Sequence, residues 1–375
     1  MLREILLDRL LSWQRGISAP PFKIELNPTH LCNLRCPFCG QREFDAEGRN
    51  QTEEIPTPRY VEIIREGAKI GVRGWRLQGA GEPMCRPEKT MAIVREIKKS
   101  GMEVEITTNG TLFDRETIDE LVELEVDELQ FSLDGSCPAT QDAMRGKAGT
   151  FDRIMEALEA FREQKETLGL QKPRIVLHTV LATINFMDLP GIAALGAKVG
   201  CDRLSLNTVH AHNETGEGLK VVPGDHEDLT RSITAAVETA SKHAIPNNYE
   251  DFLDRELSEK SNTMREVILT RADNGRAEGL LAAPCLEPWY SMTVSVEGRV
   301  GACCVHQDPS TSLVEVSLRE AWEGTSMTGL RELMLAGSLP GFCTICSGNI
   351  FNSTQRLKAE LLDHMKANFI VPERD

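Results

Sequence analysis

The sequence predicts an α/β fold, in which six strand–helix repeats form a partial, TIM-like (β/α)6 barrel, followed by a small C-terminal domain of a β-hairpin plus a helix. From Phe22, short stretches with a two-residue apolar period alternate with longer stretches of helical period, as parallel strands and crossover helices require. The alternation fails across the polar stretch between Asn247 and Gly279, so a closed eight-fold barrel is not expected. In such folds the chemistry lies at the carboxyl ends of the strands.

The composition narrows the class of protein. Its 375 residues are enough for two packed units, and 41% hydrophobic with 26% charged residues is typical of a globular chain. Asp and Glu outnumber Lys and Arg by 57 to 42, which argues against binding to nucleic acid. No apolar run approaches the roughly 20 residues that cross a bilayer, and charges interrupt the N-terminal stretch, unlike a signal peptide. We therefore expect a cytoplasmic protein without a transmembrane segment.

Helical spacing predicts an N-terminal helix within residues 1–20. Its apolar positions are Leu2, Ile5, Leu6, Leu10 and Trp13. We interpret it as a helix packed on the main domain, with a helix lying on a membrane surface as the alternative.

The barrel core is predicted over residues 21–245. Its strands cover Phe22 to Leu26, Trp75 to Gln78, Val104 to Ile106, Leu129 to Leu133, Ile175 to Leu181 and Leu204 to Val209. Predicted helices begin at Thr57, at Pro87, after Asp114, near Phe151 and near Leu189. These helix starts are predicted from a proline at the first helical position or from an aspartate just before that position.

Three further segments follow the core. Residues 246–280 are predicted as a linker with some helix, 281–352 as the small domain, and 353–375 as a C-terminal helix and tail. The small domain shows a strand pattern from Ser291 to Val296, a turn at Gly298, and a helix with Leu330, Leu333 and Met334 on one face.

Cys32, Cys36 and Cys39 follow the first predicted strand on one loop. Eleven cysteines in a chain without an export signal favour metal or redox roles over disulfides. Three thiolates are too few for a closed zinc site, whereas a four-iron cluster on three cysteines keeps one iron open to another ligand. A partial zinc knuckle is the alternative.

The run from Cys32 to Cys39 resembles the signature of the radical SAM superfamily. The resemblance implies a [4Fe-4S] cluster on Cys32, Cys36 and Cys39, whose open iron is chelated by S-adenosyl-L-methionine (SAM), with Phe38 near the adenine. This cluster and SAM together would make the chain an enzyme.

Motifs after later strands extend the resemblance. Gly79-Ala80-Gly81-Glu82-Pro83 is similar to the family's Gly-Gly-Glu motif, with Ala80 in place of a glycine. This implies close approach at Gly81 and a Glu82 carboxylate on the SAM amino group.

Three more motif positions carry SAM contacts by the same resemblance. Asn109, in Thr107-Thr108-Asn109-Gly110, lies in a segment similar to one that faces the cofactor, and Ser132 and Asp134 resemble the family's ribose contacts. Arg145 is expected to meet the SAM carboxylate. For Ser132 and Asp134 a plain turn is the alternative.

A second cysteine group lies in the small domain. Cys285, Cys303, Cys343 and Cys346 have a spacing that resembles the SPASM and twitch auxiliary domains of radical SAM enzymes. No cysteine follows Cys346, so the resemblance implies one auxiliary [4Fe-4S] cluster rather than two. Cys304 is an open alternative to Cys303, and a four-thiolate zinc ribbon is the alternative to the cluster.

The two cofactor sites together imply a radical oxidoreductase. Reductive cleavage of SAM gives a 5'-deoxyadenosyl radical that abstracts a substrate hydrogen, and the auxiliary cluster takes an electron in a net two-electron oxidation. The expected substrate is a small hydroxylated molecule such as a sugar or aminocyclitol, because no leader-peptide-binding domain is evident before the first strand. A flavodoxin- or ferredoxin-type electron donor is implied.

Alternative functions stay open. A peptide-modifying maturase is one, and a redox-neutral epimerase with Cys137 as hydrogen donor is another. His178, Asn207, His210 and His212 lie where substrate contacts or a proton acceptor are expected. An iron–sulfur electron carrier or a zinc-stabilised binding module explains the cysteines, but not the SAM motifs at the strand ends.

Overall fold

The computed structural model describes residues 2–40, 53–209, 213–221, 226–252, 279–304, 306–345 and 348–368. The chain forms two compact units. The first contains Met1–Leu26, Ile55–Trp75 and Ser261–Asp375, and the second contains Asn27–Glu54 and Arg76–Lys260. No helix in the described part of the chain is long and apolar enough to span a membrane.

Nine strands lie within the described residues. They are β1 Lys23–Leu26, β2 Gly74–Leu77, β3 Glu103–Thr108, β4 Glu128–Ser132, β5 Arg174–Leu181, β6 Arg203–Thr208, β7 Ser291–Val294, β8 Arg299–Cys303 and β9 His306–Ser312. The first six coincide with the strands that the two-residue period predicts, because their apolar positions alternate along the chain.

The helices of the described residues connect these strands. They are α1 Leu2–Gln14, α2 Thr57–Ile70, α3 Pro87–Lys99, α4 Arg115–Glu123, α5 Pro138–Arg145, α6 Thr150–Leu168, α7 Leu189–Val199, α8 Glu214–Gly218, α9 His226–Lys242, α10 Glu287–Tyr290, α11 Leu318–Glu323, α12 Thr325–Leu335 and α13 Gly348–Ala367. Asp114 caps α4 as expected, since its carboxylate accepts a hydrogen bond from the Thr117 N–H. The short helix α5 was not predicted.

In the second unit, β3, β4, β5 and β6 lie side by side in that order and run parallel. The sheet is not closed, which confirms the predicted open α/β architecture. One face of these strands is apolar and buried, and Phe131, Phe161 and Phe113 pack there at ring-centroid distances of 5.2 to 5.9 Å. Phe161 meets the other two rings edge to face. The other face carries polar side chains.

In the first unit, β1 pairs in parallel with β7, and β7, β8 and β9 form an antiparallel meander. The predicted hairpin of the small domain is therefore β7 and β8, but β7 also has β1 as a neighbour. The helices of this unit enclose Arg331, whose guanidinium lies 4.8 Å from the Trp13 ring and 4.1 Å from the Trp322 ring.

Candidate functional site

The loop after β1 holds Cys32, Cys36 and Cys39, all partly exposed. The Cys39 N–H donates to the Cys36 carbonyl at 3.1 Å, which turns the chain between these two residues. Arg145 donates to the Cys36 thiol at 3.9 Å, and the charges of Cys36 and Cys39 help to raise the pKa of Arg145. The last turn of α5 thus lies among the thiols.

The surroundings of Cys32 favour its neutral thiol when no metal is bound. Burial raises the pKa of Cys32 to about 12, and Glu82 and Cys36 raise it further. Such a thiol ionises readily only when a metal stabilises the thiolate. No three His, Cys, Asp or Glu side chains of the described residues converge on one metal ion. In a four-iron cluster each cysteine binds a different iron, so its sulfur atoms need not converge.

Gly81 lies against the backbone of this loop. A Cβ atom at Gly81 would be 2.3 Å from the Leu31 carbonyl oxygen, so no other residue fits without displacing the loop. The neighbouring Glu82 N–H donates to the same oxygen at 2.7 Å. The close approach expected at Gly81 is therefore observed, and it is an approach to the cysteine loop.

The Glu82 carboxylate is buried and accepts three hydrogen bonds. The donors are the Thr108 hydroxyl at 2.7 Å, the Asn109 N–H at 2.6 Å and the Met84 N–H at 3.1 Å. Burial raises the pKa of Glu82, and these hydrogen bonds oppose the shift. Glu82 consequently joins the segment after β2 to the end of β3.

Asn109 belongs to a closed side-chain network with two residues that the motifs did not indicate. Its amide donates to the Asn33 oxygen at 2.9 Å, the Asn33 amide donates to the Thr111 hydroxyl at 2.9 Å, and that hydroxyl donates to the Asn109 oxygen at 2.7 Å. Asn33 lies between Cys32 and Cys36, so the network ties the cysteine loop to the end of β3.

Asp134 and Arg145 form a buried ion pair beyond the end of β4. Asp134 Oδ2 lies 2.6 Å from Arg145 Nη2, and Asp134 Oδ1 accepts from the Val180 N–H at 2.8 Å. Arg145 Nη2 is engaged by this ion pair, whereas Arg145 Nε has no acceptor among the described residues. Burial raises the pKa of Asp134, and the Arg145 charge opposes this.

Phe38 provides an apolar wall near these charges. It packs against a cluster of Met144, Ala182, Val209 and Leu219. Met144 directly precedes Arg145, so the apolar wall and the guanidinium belong to one region of the second unit.

The polar face of the sheet lies on the same strands as the motifs. Ser132, His178 and Ser205 occupy one row across β4, β5 and β6. His178 Nδ1 lies 3.2 Å from the Ser205 hydroxyl, and Nε2 lies 3.5 Å from the Asn207 amide nitrogen. Burial, followed by the charges of Arg145, Arg76 and Arg203, lowers the pKa of His178 to about 4.

Charged residues on this face are paired with each other. Arg76 Nε lies 2.7 Å from the Glu105 carboxylate, and Arg203 lies 2.9 Å from Glu128. The groups between these pairs and the strand ends are therefore neutral hydrogen-bonding side chains.

The remaining candidates of this unit are separate from that network. Cys137 is exposed at the start of α5, and hydrogen bonds from Thr140 lower its pKa. The role of Cys137 as a hydrogen donor stays a prediction. His210 and His212 lie outside the described residues.

In the first unit, Cys285, Cys303 and Cys343 are half-buried and Cys304 is exposed. Burial raises the pKa of Cys343 to about 11, and Cys303 contributes to this shift, so these two thiols are near each other. Cys346 lies outside the described residues.

Comparisons with known proteins match both cysteine regions. The family model of the radical SAM superfamily matches residues 26–170, and the SPASM model, an iron–sulfur cluster-binding domain, matches residues 285–347. The chain is 30% identical, over 49% of its length and 50% of the relative's, to a cofactor-modifying protein for the tungsten-containing aldehyde ferredoxin oxidoreductase of Pyrococcus furiosus.

Two further relatives and a solved structure are similar. The AdoMet-dependent heme synthase of Methanosarcina barkeri is 24% identical over 84% of this chain and 85% of that protein. The PqqA peptide cyclase of Rhodopseudomonas palustris is 27% identical over 61% and 60%. SuiB of Streptococcus suis bound to SAM has a TM-score of 0.62 at 16% identity, over 91% of this chain and 74% of that one, and so shares the fold.

Proposed function

The chain belongs to the radical SAM superfamily and carries a SPASM iron–sulfur domain, and on this basis we propose that it oxidises its substrate by hydrogen abstraction. The observation that carries the proposal is the buried Arg145 side chain beside the cysteine loop, whose Nε–H has no acceptor among the described residues. A buried donor without an acceptor is costly, so an anionic ligand group belongs there. The SAM carboxylate is such a group.

The residues of the second unit have complementary tasks in this proposal. Cys32, Cys36 and Cys39 hold the first cluster, and when bound this cluster and SAM supply a radical that takes a hydrogen atom. Asp134 orients Arg145, because its own oxygens are already engaged by Arg145 and Val180. Phe38 provides an apolar contact for the adenine.

Two other motif residues, Glu82 and Asn109, position the cysteine loop. The carboxylate of Glu82 and the amide of Asn109 are occupied by protein partners, and both join the cysteine loop to the end of β3. Ser132 keeps its place on the polar face, where a ribose hydroxyl could accept or donate a hydrogen bond.

The proposed outcome is a net two-electron oxidation. In such an oxidation the substrate would lose a hydrogen atom and then a proton to a base, and the auxiliary cluster that Cys285, Cys303, Cys343 and Cys346 would hold could accept the remaining electron. A flavodoxin- or ferredoxin-type protein supplies the reducing electron. Cys285, Cys303 and Cys343 are half-buried, and cysteine thiolates are the usual ligands of iron–sulfur clusters.

A small hydroxylated substrate fits the polar sheet face. The charged side chains of this face form ion pairs with each other, and His178, Ser205 and Asn207 offer neutral hydrogen-bonding groups. The neutral imidazole of His178 is a candidate proton acceptor.

A peptide substrate is the second candidate, and the similarity to a PqqA peptide cyclase favours it. Backbone amides are also neutral hydrogen-bonding groups, so the polar face suits both classes. The two are separated by whether polyols or a short peptide stimulate 5'-deoxyadenosine formation by the reduced protein.

Calorimetry with SAM tests the enzymatic proposal against an electron carrier or a zinc-stabilised module. The full chain is reconstituted anaerobically with iron and sulfide, its iron and zinc are counted, and SAM is titrated in. We expect binding with a Kd of about 1–100 μM, in the range of ordinary substrate affinities. Zinc in place of iron, or no heat of SAM binding, would refute the proposal.

A further inference from the structure

His306 lies between the two cysteine segments of the first unit. It is the first residue of β9, and in the β8–β9 hairpin it pairs with Cys303. Opposed residues of an antiparallel pair project from the same side of the sheet, with Cβ atoms about 5 Å apart. His306 is therefore a direct neighbour of a predicted cluster ligand.

The same ring also contacts the second cysteine segment. It stacks on Phe342 with a centroid distance of 4.4 Å and an interplanar angle of 28°. Phe342 immediately precedes Cys343 in the short 3-10 turn Gly341–Ile345. Because His306 pairs with Cys303 and stacks on the residue that precedes Cys343, the imidazole lies beside both cysteine segments.

One nitrogen of this ring lacks a hydrogen-bond partner. His306 Nδ1 is buried, and no described residue donates to it or accepts from it. Leaving such a group unpaired costs about 1–3 kcal/mol, so native structures usually pair it. The group that belongs next to Cys303 and Cys343 is the auxiliary cluster, whose sulfur atoms are hydrogen-bond acceptors.

We infer that His306 donates a hydrogen bond from Nδ1 to a sulfur atom of the auxiliary cluster and thereby raises the reduction potential of that cluster. The inference rests on the proposed function, which places the cluster on Cys303 and Cys343. A hydrogen bond to sulfur stabilises the reduced, more negative cluster, which makes it a better electron acceptor. His306 is a positioning and tuning residue, since the cysteines supply the ligands.

Redox titration of the reconstituted full chain, followed by EPR, tests this role. His306→Phe keeps a ring against Phe342 but removes the N–H, whereas His306→Asn places an amide N–H near the Nδ1 position. We expect His306→Phe to shift the reduction equilibrium of the auxiliary cluster about tenfold toward the oxidised form, or about 59 mV for one electron. His306→Asn should recover most of the shift, and the exposed His243→Phe should cause none.

An unchanged auxiliary potential in His306→Phe would overturn the inference. Loss of auxiliary iron from this variant would also overturn it, because that result means iron ligation or a structural role. A wild-type protein that binds only one cluster defeats the proposed function, and the inference with it. The iron count of the wild type shows this before any variant is made, so the two failures are distinguishable.

A measurement on the unaltered protein makes the test independent of variant folding. The chain is labelled with 15N-histidine, reconstituted and reduced, and pulsed EPR records nitrogen coupling to the auxiliary cluster. A weak coupling, typical of a hydrogen-bonded nitrogen, supports the inference. A strong coupling, typical of a ligand, or no coupling at all contradicts it.

Discussion

At the scale of single residues, the SAM site depends on Arg145. Its guanidinium contacts Asp134 and Cys36, and its Nε–H has no acceptor among the described residues. We predict that Arg145→Lys weakens SAM binding at least tenfold, because an ammonium cannot reproduce the planar fork that grips a carboxylate. Calorimetry on the reconstituted protein measures the change.

A matched control accompanies this prediction. Arg162→Lys makes the same change on an exposed helix face and should leave SAM affinity as in the wild type. Lysine at position 145 keeps a positive charge beside Asp134, which avoids an uncompensated buried carboxylate. Equal SAM affinity in Arg145→Lys and the wild type would show that Arg145 does not hold the carboxylate.

His178 makes the stability of the fold dependent on pH. Its pKa in the folded chain is about 4, below the 6.5 of an ordinary histidine, so the unfolded chain takes up the proton first. Folding free energy is therefore lost as pH falls from about 6.5 to about 4. For this half-buried ring we expect a loss of about 1–2 kcal/mol.

Urea unfolding of the wild type and of His178→Gln at pH 7 and pH 4.5 measures this loss. Glutamine does not titrate, so the stability difference between wild type and variant should shrink toward pH 4.5. A difference that stays constant would mean that His178 keeps an ordinary pKa in the folded protein.

In the first unit, Arg331 contributes to the stability of the fold. It is buried between Trp13 and Trp322 and donates to the Pro288 and Trp322 carbonyls at 2.8 and 3.1 Å. We predict that Arg331→Met lowers the free energy of unfolding by about 2–4 kcal/mol, because the carbonyls lose their donors and the rings their cation. Denaturant unfolding checks this, and the exposed Arg319→Met should change stability by less than about 0.5 kcal/mol.

Residue-level roles were only partly predictable. The motifs located Glu82, Asn109 and Asp134, but their side chains already have protein partners in the structure. A motif specifies the residue type at a strand end, whereas the partner depends on which segments the fold brings together. Asn33 and Thr111 carried no sequence signal for the same reason.

At the scale of elements, hydrogen bonds to a neighbouring strand end support the cysteine loop in addition to its own bond between Cys39 and Cys36. The Asn33, Asn109 and Thr111 network joins it to the end of β3. We predict that Asn109→Ala lowers iron retention of the first cluster about 10–100-fold, as loss of supporting hydrogen bonds does at other metal sites. Iron release to a chelator, followed over time, measures this.

Thr234→Val is the matched control for the loop, since it removes an exposed hydroxyl bond within α9 and should not alter iron release. Equal release rates in Asn109→Ala and the wild type would show that the network does not support the cluster.

The elements themselves were predictable where periodicity is local. The strands β1 to β6 and the helices α2, α3, α4, α6 and α7 follow from apolar spacing and start signals over a few residues. The 17-residue helix α9 was not predicted. The pairing of β1 with β7 was not predicted, because it joins segments far apart in the chain and leaves no local pattern. The helix α5 was missed because its eight residues are too few for a periodic signal.

At the scale of the whole molecule, the two cysteine groups belong to different units. We propose that the reaction starts at Cys32, Cys36 and Cys39, and that the group around Cys303 and Cys343 takes up an electron. Loss of one group should therefore leave the function of the other measurable.

Formation of 5'-deoxyadenosine by the anaerobic, reconstituted and reduced chain with SAM tests this central claim most directly. We predict that the wild type forms it, that a Cys32→Ala, Cys36→Ala and Cys39→Ala triple variant forms none, and that Cys303→Ala with Cys343→Ala still cleaves SAM. No 5'-deoxyadenosine from the wild type, or an equal amount from the triple variant, would contradict the account.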